Sequence, residues 1–185
     1  MIDKALKQAD EKMAKAIEVV REEFAGVRTG RASPALVQRL QIDYYGTQTP
    51  LQQLAGISVP DPRSLLISPY DRSAISAIEK AIMASDIGIT PSNDGAAIRL
   101  NFPPLTEERR KELIKLVRDR AEHGRVSIRN VRRHAKEEIE KDQKEGDASE
   151  DDMRRGEKEL QKMTDRFIGE VDDMLQRKEA ELLEV

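Results

Sequence analysis

The sequence predicts an α+β protein, a long three-helix bundle into which a small β/α/β domain is inserted. Three observations predict it. Apolar residues recur at steps of three and four through both ends of the chain, all 8 prolines lie between Pro34 and Pro104, and between those prolines the apolar period changes to two. Prolines confined to the middle leave the flanks free to run as unbroken helix, which the middle cannot do. The expected division is residues 1–30 with 105–185 for the bundle and 31–104 for the insert. A length of 185 residues fits one domain or two small ones.

The first helix is expected from Ile2 to Thr29, with Ile2, Leu6, Ala9, Met13, Ile17, Val20, Phe24 and Val27 as its apolar stripe. The second starts at an N-cap Thr106, whose hydroxyl can accept an orphan amide, with Glu107 and Glu108 in the positive first turn. Its stripe is Leu113, Val117, Ala121, Gly124, Ile128, Val131, Ala135 and Ile139. A loop at Gly146-Asp147-Ala148-Ser149 ends it, and Ser149 with Asp152 forms an acidic capping box for the third helix. That helix carries Met153, Leu160, Met163, Phe167, Val171, Met174 and Leu182. No stripe can be buried alone, so the three face one another with their charged sides outward.

In the insert, Leu40, Ile42 and Tyr44 alternate with polar residues, as do Ile98, Leu100 and Phe102. Both read as half-buried strands. Ile57-Ser58-Val59 and Leu65-Leu66-Ile67 are shorter strand candidates. A helix capped by Asp71 and packed through Ile75, Ile78 and Ile82 should stop near Gly88, and Asp94-Gly95 is a favoured hairpin turn.

Composition excludes more than it selects. Zero cysteine removes disulfides, thiolate ligands and cysteine nucleophiles. The two histidines, His123 and His134, would sit about 16 Å apart on one helix, too far to share a metal. Neither a phosphate-binding loop nor a dinucleotide fingerprint occurs, and the adjacent pairs Asp151-Asp152 and Asp172-Asp173 diverge by about 100° on a helix. Acids, bases and ligands do not converge, so the expectation is a non-enzyme without metal or cofactor. No apolar run of about 18 residues occurs, and the opening Met1-Ile2-Asp3-Lys4 reads as neither a signal nor a transit peptide. A cytoplasmic protein is expected.

A net charge of −3 conceals an asymmetry, because residues 106–135 carry +5 and residues 136–185 carry −8. On the second helix Lys111, Lys115, Arg118, Arg125, Arg129, Arg132 and Arg133 share one arc beside the apolar stripe. Only Glu107 and Glu122 interrupt them. Arginine-rich forks along one face suit phosphates of a folded nucleic acid. On charge alone, a solvated face paired with acids of the third helix fits equally well. Arg110 projects instead towards the core side, where antiparallel packing should bring it near Arg28 and Arg31 at the junction of the insert.

At these residues the chain resembles a known family. Val27-Arg28-Thr29-Gly30-Arg31-Ala32-Ser33-Pro34 and Arg125-Val126-Ser127-Ile128-Arg129-Asn130-Val131-Arg132-Arg133 are similar to signature stretches of the ribosome recycling factors. Asp43-Tyr44-Tyr45-Gly46 and the run from Leu100 through Pro103-Pro104 to Arg110 resemble the same family, and the resemblance runs from the first helix to Leu182-Leu183-Glu184-Val185. The resemblance implies an L-shaped, monomeric protein with a helical long arm and a mobile short arm. It implies binding to the rRNA of the large ribosomal subunit after termination and, with elongation factor G and GTP, splitting of the subunits and release of mRNA and tRNA. Arg28, Arg31, Arg110, Arg129, Arg132 and Arg133 match family arginines on the rRNA side, whereas Lys111, Lys115, Arg118 and Arg125 rest on the shared arc. His134 departs from the family, which often has Asp after the arginine pair. Gly30, Arg31, Pro103 and Pro104 are the expected hinge, one permissive crossing beside one stiff crossing.

Overall fold

The computed structural model describes residues 1–184, so Val185 of the terminal stretch lies outside the described residues. Residue contacts divide the chain into two compact units, Met1–Arg28 with Thr106–Val185 and Thr29–Leu105. The first unit consists of α1 (Ile2–Ala25), α4 (Glu107–Lys144) and α5 (Glu150–Leu183). Between them lie, in order, β1 (Gln41–Tyr44), β2 (Thr47–Pro50), α2 (Leu51–Leu54), β3 (Ala55–Asp61), β4 (Ser64–Pro69), α3 (Ile75–Ala84), β5 (Ser92–Asn93) and β6 (Ile98–Asn101).

All three long helices pack on one another through the stripes read from the sequence. Every residue of the first stripe is buried, Val27 lying just past the end of α1, and on α4 every one is except the half-buried Val131. Close approach is made possible by two glycines. A Cβ added to Gly124 of α4 would stand 2.5 Å from Val20 Cγ2 of α1, and one added to Gly156 of α5 would stand 2.7 Å from Ile2 Cγ2. The caps follow the sequence as well. Thr106 Oγ1 accepts from the Arg109 amide at 3.1 Å, and Ser149 Oγ accepts from the Asp152 amide at 3.0 Å while donating to that carboxylate at 2.8 Å. Gly146, at φ +84°, turns the chain between α4 and α5.

Helix α1 ends at Ala25, not at the expected Thr29. Gly26 takes the C-cap, its amide donating to the Glu22 carbonyl and the next amide, of Val27, to the Phe24 carbonyl, and no basic side chain supports the last turn against the helix dipole. Gly30 at φ +75° therefore lies well beyond the helix and is not its left-handed cap.

In the second unit β3, β4, β6 and β5 form one antiparallel sheet in that order, and β1 pairs with β2 in a hairpin. Ile42, Leu65, Ile67, Ile78, Ile82, Ile98 and Leu100 are fully or almost fully buried in its core. Helix α3 stops at Ala84, earlier than Gly88, because Ser85 caps it and its hydroxyl donates to the Ile82 carbonyl. Asp94 makes the expected turn, its Oδ1 accepting both the Ala96 and Ala97 amides. Strands β2 and β5 lacked apolar alternation and were not expected. The family-like Asp43-Tyr44-Tyr45-Gly46 is the β1–β2 turn, with Tyr45 at φ +49° and Gly46 at φ +78°, the paired positive values a tight hairpin needs. Tyr44 donates to Asp71 at 2.9 Å, and the Asp71 carboxylate also accepts the Ser73 amide, which joins the hairpin to the start of the α3 region.

Gly124→Ala should lower unfolding free energy by about 1–2 kcal/mol, overpacking against Val20 outweighing the helix propensity gained. Gly169→Ala, with open space around the same atom, should be neutral or raise it by up to about 1 kcal/mol. Denaturant titration of the two variants checks the contrast.

Asp71 is held below the ordinary carboxylate value by the Ser73 amide first, then by the hydroxyls of Ser73 and Tyr44. A lowered folded value means the cap stabilises fully above the unfolded value and loses its effect as pH falls through the folded one. The deficit of Asp71→Asn in thermal melts should thus be present at neutral pH and close as pH drops below about 4.

Candidate nucleic-acid interface

Helix α4 is about 57 Å long, and the packing of its apolar stripe on α1 and α5 fixes where its arginines point. The cations differ along that length. Near the start Lys111 pairs with Glu107 of its own helix at 3.1 Å, and Arg118 Nε reaches Glu179 of α5 at 2.5 Å. Arg125 is committed most deeply. Its side chain is 17% exposed, with Nη2 at 2.6 Å and Nε at 2.8 Å from Asp172 of α5, and Nη1 at 3.1 Å from Glu122. The pairs of Arg118 with Glu179 and of Arg125 with Asp172 realise the alternative of a basic face matched to acids on the neighbouring helix, but only over the first half of α4.

Beyond Arg125 the balance changes. Arg129 shares Glu122 at 3.2 Å, and that carboxyl is held below its ordinary range by Arg125 and then Arg129. Arg132 donates to the neutral Gln161 of α5 at 3.1 Å, and Arg133, like Lys115, has no ion pair among the described residues. Arg129, Arg132, Arg133 and Lys136 follow one another at helical spacing along an open groove of about 450 Å³. Asn130 also lines it, and Glu157, Leu160 and Gln161 of α5 form the opposite wall. The groove therefore gathers four cations against one lining carboxylate. Arg129 and Lys136 are paired with Glu122 and Glu140 of their own helix, so a phosphate entering the groove would meet in Arg132 and Arg133 the two forks that no carboxylate among the described residues holds.

The other expected site residues are distributed differently. Arg110 is half-buried, its Nε buried without a hydrogen-bond partner among the described residues. Arg28 is exposed at the end of the first unit, and Arg31 belongs to the second. His134 Nδ1 stands 3.7 Å from Glu137. Among the described residues no group of three acidic, histidine or cysteine side chains could hold a metal, and no helix is long and apolar enough to cross a membrane. Lys136 and Gln161 are not among the residues the sequence pattern points to. Lys136 lies seven residues past Arg129 and was legible from the helical period, whereas Gln161 is neutral and on another helix, so no local signal marked it.

A family model described as Ribosome recycling factor matches residues 20–183. The chain belongs to this family. The ribosome-recycling factor of Acidothermus cellulolyticus is 55% identical and that of Thermobifida fusca 54%, each over the full length of both chains. A solution structure of the ribosome recycling factor superposes with a TM-score of 0.81 at 42% identity, covering all of this chain and 98% of that one. A chain of the models for the T. thermophilus ribosome recycling factor and the E. coli elongation factor G bound to the E. coli post-termination complex gives 0.67 at 47% identity, with this chain and that chain each fully covered. The function is ribosome recycling, and the α+β fold with its long helical arm is that of the family.

The separation of struts from open cations along α4 has a measurable consequence. Arg125→Ala should destabilise the protein by about 1 kcal/mol, through loss of its partly covered pairs and of the packing of its stem. Arg133→Ala should stay within about 0.5 kcal/mol of the parent. Thermal melting of both variants checks the difference.

Proposed function

We propose that this protein binds the rRNA of the large ribosomal subunit in the post-termination ribosome through α4. With elongation factor G and GTP, it then promotes subunit splitting and release of mRNA and tRNA. The observation that carries this reading is the run of Arg129, Arg132, Arg133 and Lys136 along an open groove, in a chain whose relative is known bound to a post-termination complex with elongation factor G. Phosphate contact satisfies these forks, releases counterions and needs no chemistry from the bound protein. GTP hydrolysis belongs to elongation factor G in this reading, and the chain acts as a monomeric, cytoplasmic, non-enzymatic factor.

Within the proposed interface, Arg129, Arg132 and Arg133 supply the main phosphate contacts, with Arg28, Arg31, Arg110, Lys111 and Lys115 extending the positive field. Arg118 and Arg125 act chiefly as struts to α5, since Glu179 and Asp172 already occupy their guanidinium groups. The two crossings between the units, at Gly30-Arg31 and Pro103-Pro104, serve as the hinge. Gly30 takes a backbone conformation open chiefly to glycine, and the two prolines hold the return crossing extended.

Replacing Arg129 and Arg132 together with Ala should weaken binding to large ribosomal subunits. The slope of log affinity against log salt should fall by roughly 1.4–1.8, at about 0.7–0.9 per phosphate. The melting temperature should stay near that of the parent, because both side chains lie outside the apolar stripe. Wild-type affinity and slope in the double variant would falsify the interface.

A further inference from the structure

Among the α4 arginines bonded to α5, Arg132 differs in the nature of its partner. Arg118 and Arg125 are held by carboxylates of α5, and Arg129 by Glu122 of its own helix. Arg132 is held by an amide, Nη1 donating to Gln161 Oε1 at 3.1 Å. The amide is itself fixed. Its Nε2 donates to Asp165 Oδ1 at 2.8 Å, one turn further along α5, so its oxygen is the end left to face Arg132.

We propose that Gln161, oriented by Asp165, is a positioning residue that fixes the Arg132 guanidinium beside the groove without neutralising it. The proposal rests on the phosphate-binding reading of this face. A carboxylate at the same place would order the arginine equally well, yet it would compete with phosphate for the same charge. An apolar side chain would leave the charge free and the long arginine stem unrestrained, so each binding event would have to order it. Only a neutral acceptor does both. Asp165 lies on the far side of the amide, where it aligns Gln161 and makes no ion pair with Arg132 itself. The remaining donors of the Arg132 fork stay available to an incoming phosphate, as bidentate contact requires.

The test uses the full chain and purified large ribosomal subunits, with affinity measured across a range of salt for Gln161→Glu, Gln161→Met, Arg132→Ala and the two double variants. Gln161→Glu should bind about tenfold more weakly, with a salt slope lower by about 0.7–0.9, because the new carboxylate, repelled by Asp165, takes over Arg132 and removes one phosphate contact. Gln161→Met keeps the size of the side chain and the charge count. It should bind about fivefold more weakly with an unchanged slope, the loss being one of order and not of charge. Neither change should weaken binding further once Arg132 is Ala. Gln161 is exposed on α5, so thermal melts of all variants should coincide and separate this role from a structural one.

Wild-type affinity in Arg132→Ala overturns the phosphate-face reading and this proposal with it. Weakened binding in Arg132→Ala beside wild-type affinity in both Gln161 variants overturns the role of Gln161 alone. Losses that persist undiminished in the double variants overturn it too, since they would show that Gln161 acts other than through Arg132.

Discussion

The contact between Val20 and the bare Cα of Gly124 sets the geometry on which the basic side of α4 depends. No side chain fits between the two helices at that point. With Val117, Ala121 and Ile128 buried on the same stripe, α4 cannot rotate about its axis without driving a larger residue into α1. A one-residue register change would turn the helix by about 100° and bring charged side chains into the core. Locking the apolar stripe therefore locks the azimuth of the arginines, which sit beside it on the same rigid element. The arrangement of these cations is a by-product of helix packing and requires no loop to order itself.

Electrostatics then divides this face along its length. Acidic residues of α5 meet the first half of α4 with Glu179 and Asp172, so part of the positive charge read in the sequence serves to fasten one helix to the other. Farther along, Arg132 meets the neutral Gln161, and among the described residues Glu157 is the one carboxylate that lines the groove. Exposed pairs of this kind contribute little stability each. Their larger effect is on the field, which is partly cancelled over one stretch of the rod and left open over the next.

The second unit solves a different problem, how to hold a small sheet with few strongly apolar strands. The Tyr45-Gly46 turn puts β1 and β2 in register, and Tyr44, Asp71 and Ser73 tie that hairpin to the chain entering α3. Tyr45 remains 80% exposed, and its hydroxyl lies 3.3 Å from Ser73 Oγ. Polar side chains thus supplement a core made mainly of isoleucine and leucine.

Periodicity in the sequence determined the three long helices, their caps at Thr106 and Ser149, the confinement of irregular structure to the proline-bearing middle, and the basic arc of α4. These depend on neighbours within a turn or on alternation along a strand, and such information is local. The signature stretches determined the family for the same reason, being contiguous. Tertiary structure alone decided which of the arc's cations are already spent. Arg125 and Arg132 look alike in the sequence, seven residues apart on one face, yet one is clamped by Asp172 and the other rests on Gln161. That difference depends on which residue of α5, 29 to 47 positions away, arrives opposite each arginine when two long helices pack. Pairing across helices is set by the register of their apolar seams, so only the folded bundle could reveal it.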